Sequence, residues 1–78
     1  MALAGEERAR AARGEGCLGK AHELEPVFIL RAQDALAADL VEKWAIWARA
    51  ADCPNDKVNE AFALAEEMRR WPVRKNPD

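Results

Sequence analysis

The chain has 78 residues and a formal net charge of −2, with half of its residues hydrophobic and a third charged. That length admits one small domain. Much of the apolar count is alanine, which favours helix but buries little surface, so the large apolar groups are few. The absence of Ser and Thr excludes hydroxyl nucleophiles of those types. No apolar run reads as a signal peptide or membrane span. Cys17, Cys53 and the lone His22 lack zinc-site spacing, so the expectation is two free thiols in a reducing, cytoplasmic setting, with no metal and no cofactor.

Residues 1–16 carry almost no large apolar side chain and read as a frayed helix or flexible arm, with Glu6 and Arg10 spaced for an i,i+4 pair. Gly14 and Gly16 stop any helix there. The stretch Gly14-x-x-x-x-Gly19-Lys20-Ala21 matches a phosphate-binding loop in three letters. That loop needs a Ser or Thr after the lysine for magnesium, a buried strand before it and a helix after it. Here Ala21 replaces the magnesium ligand, arginines precede the loop, and Pro26 follows too soon for the helix. The stretch is therefore read as a flexible glycine joint, its residues 17–20 offering an edge for a strand.

The run Pro26-Val27-Phe28-Ile29-Leu30-Arg31 is the one predicted strand, apolar on both faces. A lone strand leaves its backbone groups unpaired. Val27, Phe28, Ile29 and Leu30 are thus candidates for pairing within the chain or across a homodimer.

Residues 35–51 read as a helix with Asp34 as N-cap. Positions at 100° steps place Leu36, Leu40, Trp44, Trp47, Ala48 and Ala51 on one face and Asp39, Glu42, Lys43 and Arg49 on the other, with Asp39 and Lys43 at i,i+4. Ile46 stands among the polar group. "ADCPND" breaks the chain, with Cys53 at the N-cap and Pro54 at the first position of a second helix running to about Arg70. Its apolar stripe is Val58, Ala61, Phe62, Leu64, Ala65 and Met68, and Glu66 and Arg70 are spaced as a pair. The short connection makes the two helices antiparallel neighbours. Pro72 closes the helix, and a basic tail follows at 73–78.

The expected architecture is a mostly helical α+β domain, β-α-α, over 17–72: one short strand feeding a two-helix hairpin. Charge is uneven along it. Ten acids from Glu23 to Glu67 face Arg31, Lys43, Arg49 and Lys57, whereas Arg69, Arg70, Arg74 and Lys75 face Asp78 alone. An acidic body argues against a general nucleic-acid binder.

From Cys17 onward the text is similar to a group of small proteins encoded in bacteriophages, prophages and related mobile elements of proteobacteria. The residues that carry the likeness are Cys17-Leu18-Gly19-Lys20, Glu25-Pro26-Val27-Phe28-Ile29-Leu30-Arg31-Ala32-Gln33-Asp34, Met68-Arg69-Arg70-Trp71-Pro72, and Arg74-Lys75 with Pro77-Asp78. The resemblance implies a genomic context and no particular mechanism.

No catalytic constellation emerges, so the functional expectation is a non-enzymatic interaction protein. In the implied setting its most concrete role is to bind and inhibit a host defence complex, a CRISPR surveillance complex above all. Glu42, Glu60, Glu66 and Glu67 would present negative charge to a nucleic-acid-binding groove, with Ile46 as an apolar contact. Two alternatives stand beside it. One is an accessory factor gripping nucleic acid through Arg70, Trp71, Arg74 and Lys75. The other is a minor structural or regulatory protein of a phage particle.

Overall fold

The computed structural model describes residues 2–76, and these fold into four helical segments. They are α1 (Ala4–Ala12), α2 (Gly16–Lys20), α3 (Ala37–Ala50) and α4 (Asn55–Arg69). The segments form two pairs, α1 against α2 and α3 against α4, and no element of one pair packs on an element of the other.

The first pair owes its reversal to glycine. Helix α1 is built from Ala, Glu and Arg, all good helix formers, with Glu7 and Arg10 joined at 2.8 Å. It ends with the Glu15 amide donating to the Arg10 carbonyl and the Gly14 amide to the Ala11 carbonyl. Gly14 lies at φ 71°, the left-handed position that such a double hydrogen-bonded stop requires. Helix α2 then folds back so closely that a Cβ on Gly19 would lie 2.8 Å from the Gly14 carbonyl carbon and 3.2 Å from the Ala11 Cα. The spacing of Gly14 and Gly19 is therefore a packing requirement. Residues 17–20 are helical, not the strand edge expected from the sequence.

That removes the partner the strand needed. Among the described residues there is no β-strand, and the expected α+β, β-α-α fold is corrected to an all-helical one. The chain from Glu25 to Arg31 runs without turn, bend or bridge. The one ladder-like contact is an isolated parallel bridge further on, between Asp34 and Lys75. There the Lys75 amide donates to the Gln33 carbonyl at 2.8 Å, and the Ala35 amide to the Lys75 carbonyl at 2.7 Å. Val27, Phe28 and Ile29 are exposed, and only Leu30 turns inward, onto Ala37, Ala38 and Met68.

Helix α3 starts at Ala37, two residues later than an Asp34 cap would place it. Asp34 makes a turn instead: its carboxylate accepts the Leu36 amide at 2.8 Å and its carbonyl accepts the Ala37 amide. Helix α3 stops as α1 does, with the Cys53 amide donating to Ala48 and the Asp52 amide to Arg49. Asp52 takes the left-handed position at φ 60°, and Pro54, just outside α4, opens the next helix.

The core between α3 and α4 is made of small groups. Ala37, Ala45 and Ala65 are fully buried, Ala38 and Val58 nearly so, and Ala48 and Met68 close the set. The large stripe expected to be core, Leu36, Leu40, Trp44 and Trp47, is exposed, Leu40 the least at 44%. The buried face of α3 sits roughly 100° around the axis from that stripe. Alanines allow the two backbones to approach, and indole rings do not fit between them.

Two substitutions test this arrangement. Gly19→Ala should break the α1–α2 contact and speed amide exchange over residues 4–20 while leaving 37–69 protected; Gly5→Ala, whose Cβ meets nothing within 4 Å, is the control and should hold exchange unchanged or slow it. Ala45→Leu should overpack the α3–α4 seam and cost ~1–3 kcal/mol in denaturant unfolding.

Candidate interaction surfaces

One arginine joins the two long helices. Arg69, at the last turn of α4, donates Nη2 to Glu42 Oε2 at 2.7 Å and to Asp39 Oδ1 at 3.1 Å, both on α3. Its Nη1 donates to Glu66 Oε1 at 2.7 Å, one turn back on α4. Hydrogen bonds to Asp39 first, and then to Glu42, hold the guanidinium pKa above the ordinary arginine range. Arg69 therefore stays charged at any pH the fold experiences. The placement follows from α4 running antiparallel to α3, which sets the end of α4 beside the start of α3.

Two of the four acids expected to face a partner, Glu42 and Glu66, are thus held by Arg69. Glu67 pairs with Arg70 at 3.0 Å. Glu60 and Ile46 are both exposed. Of the basic group, Arg74 donates Nη2 to the Ala35 carbonyl at 2.9 Å, and the Lys75 backbone forms the bridge to residues 33–35. Trp71 is exposed beside this docked tail, and the tail's last residues, 77 and 78, lie outside the described range.

The opposite side of the hairpin is apolar. Leu40, Val41, Trp44 and Trp47 of α3, Ala61 and Leu64 of α4, and Leu30 line an open groove of about 360 Å³. Lys43 stacks over the Trp47 ring at 5.9 Å and Arg49 over the Phe62 ring at 5.3 Å, so cations edge the aromatic groups. A second apolar surface is the segment before α3, where Phe28 is 81% and Ile29 69% exposed.

Sequence reasoning placed Trp44 and Trp47 in the core and gave Arg69 no partner in α3. The i−3 spacing of Glu66 to Arg69 was available as a signal. The contacts with Asp39 and Glu42 appear only when the hairpin closes. Cys17 is exposed and Cys53 half-buried, both as free thiols. Among the described residues no three His, Cys, Asp or Glu side chains converge as metal ligands, and no helix is long and apolar enough to cross a membrane. No protein-family model matches the chain, nor does any curated protein or solved structure.

The Arg69 cluster makes a ranked prediction. Melting temperature should fall most for Arg69→Ala, less for Glu42→Gln and least for Asp39→Asn, whose side chain is 80% exposed. Thermal melts at low and high salt check this, with the differences narrowing at high salt.

Proposed function

We propose that the chain is a small non-enzymatic interaction protein that docks on a macromolecular partner through the segment Val27–Ile29. The observation that carries this reading is the segment itself. Its side chains are largely exposed, and among the described residues no hydrogen bond within the chain engages the backbone of Val27, Phe28, Ile29 or Leu30. Water satisfies these backbone groups in the free chain, and exposed apolar side chains beside amides and carbonyls with no bond in the chain suit capture by a partner's sheet edge or pocket. In the mobile-element context implied by the sequence resemblance, the partner of choice is a host defence nucleoprotein complex, and the outcome is its inhibition.

The balance of forces at such a contact differs from a purely acidic decoy. With Glu42 and Glu66 tied to Arg69, less of the negative surface is free to mimic nucleic acid, and more of the contact falls to Phe28 and Ile29. Binding of purified surveillance complex to the immobilised chain should therefore weaken ~30-fold in Phe28→Ala, the scale of an aromatic anchor. It should change little when salt is doubled. A cell-based interference assay with and without the protein reads the consequence. Full interference in the presence of the wild-type chain would count against the inhibitor reading.

A further inference from the structure

Residues 25–31, EPVFILR, are complementary to themselves when two copies run in opposite directions. We infer that two copies of this chain pair through this stretch as an antiparallel two-stranded ribbon, a strand that neither copy forms alone. A twofold axis normal to such a ribbon must set one residue opposite its own copy. Centred on Phe28, it sets Val27 opposite Ile29 and Glu25 opposite Arg31 of the other copy, each twice. Branched side chain then meets branched side chain, ring meets ring, and opposite charges close both ends. Centring on Val27 sets Glu25 against Ile29, and centring on Ile29 sets Arg31 against Val27, so either choice leaves the charges unmatched. A negative residue at one end and a positive one at the other, equally far from Phe28, are what select a second copy.

Backbone bonding picks the same register. Opposed residues in an antiparallel ribbon alternate between pairs that exchange amide–carbonyl bonds and pairs that do not. Pro26 has no amide to donate, so its pair with Leu30 is of the non-bonded kind. Alternation then makes the pair of Phe28 residues non-bonded too, and Val27 with Ile29, and Glu25 with Arg31, the bonded pairs. Within the chain no hydrogen bond engages the Val27 or Ile29 backbone. At the ends, the Glu25 amide already donates to the His22 carbonyl, and the Arg31 carbonyl already accepts the Asp34 amide, both at 2.9 Å. Those two groups would face each other across the pair, so the ladder ends there with neither stranded. The side chains are exposed and keep capacity to spare. Glu25 uses Oε1 to accept the His22 amide, and Arg31 uses Nη2 to donate to Gln33 Oε1. Leu30 packs on the hairpin core, which backs the ribbon on its Leu30 side, as a two-stranded ribbon requires.

The pairing concerns the free chain and does not rest on the docking reading. It competes with docking, because both use Val27, Phe28 and Ile29. Self-association is read on the pure chain and docking on the surveillance complex, so the two fail separately. Light scattering of the full chain from micromolar to millimolar concentration should show the mass rise from 8.7 kDa toward twice that value. Over the same range, exchange of the Val27, Ile29 and Arg31 amides should slow while that of Phe28 and Leu30 stays fast. Glu25→Arg and Arg31→Glu each place like charges opposite at both ends and should raise the dissociation constant ~10-fold. The double variant should restore it, and the two single variants, mixed, should pair with each other in preference to themselves. Glu23→Arg, the same charge change outside the paired stretch, should have little effect. A monomer at every concentration would overturn the inference. So would protection of the Phe28 and Leu30 amides instead, or a dimer that the single variants do not weaken or the double variant does not rescue. The exchange pattern needs no variant, so it decides the matter even where a substitution disturbs the fold.

Discussion

The seam of alanines between α3 and α4 governs the rest of the molecule. Ala45 and Ala65 are fully buried, and Ala37, Ala38 and Ala48 extend the small surface along α3. Helices that meet through methyl groups come closer than helices separated by leucine or tryptophan. Close approach leaves no volume for indole rings, which are turned to the flank. It also brings the end of α4 within one arginine's reach of two acids on α3. The exposed groove and the buried seam are two results of one choice of residue size.

A core of this kind is thin. Alanine burial removes little apolar area from water, and Met68 and Val58 are the largest side chains among the buried set. Polar contacts across the hairpin then matter more than they would over a leucine core. Isolated surface ion pairs contribute little because each holds two flexible side chains for a weak attraction. Arg69 is different in one respect: a single guanidinium, ordered once, serves Asp39, Glu42 and Glu66 together. Its planar fork also fixes geometry, since α4 cannot rotate or slide against α3 without losing two of the three partners. The cluster sets the register of a seam whose small smooth surfaces would otherwise permit sliding.

The two long helices and their antiparallel pairing were legible in the sequence; the face they bury and the state of the apolar run before them were not. Periodicity and Pro54 marked two helices with a break, and they correspond to α3 and α4. Reading the largest apolar residues as core put the wrong face of α3 inward, because hydrophobicity ranks residues by size while close helix packing selects against size. The apolar run at 27–30 was taken for a strand on propensity alone. Strand formation depends on a paired edge, and the candidate edge at 17–20 is occupied by helix α2. Gly14 was read as a helix stop, and it holds the left-handed position that ends α1. The stretch that runs on to Gly19 was read as a flexible joint, whereas Gly16 opens α2 and Gly19 makes a backbone contact that a methyl group would block. In the surface clusters, the i−3 partners Glu66 and Glu67 lay within sequence reach, whereas Asp39 and Glu42 required the fold.

The two apolar surfaces differ in kind, and the difference bears on how they would work together. The groove lies on regular helices whose interior backbone groups are already paired, so it offers shape and area but no directional bonds. Such a surface suits a partner of matching shape. The 27–30 segment offers amides and carbonyls with no bond to the chain beside Phe28 and Ile29, which suits a partner able to return hydrogen bonds. Leu30 belongs to both surfaces, since it ends the segment and lines the groove, so an occupant of one lies against the other. A chain with so small a core gains more from contacts that combine area with returned hydrogen bonds than from added apolar residues, because each further exposed apolar group would burden the solubility of the free chain.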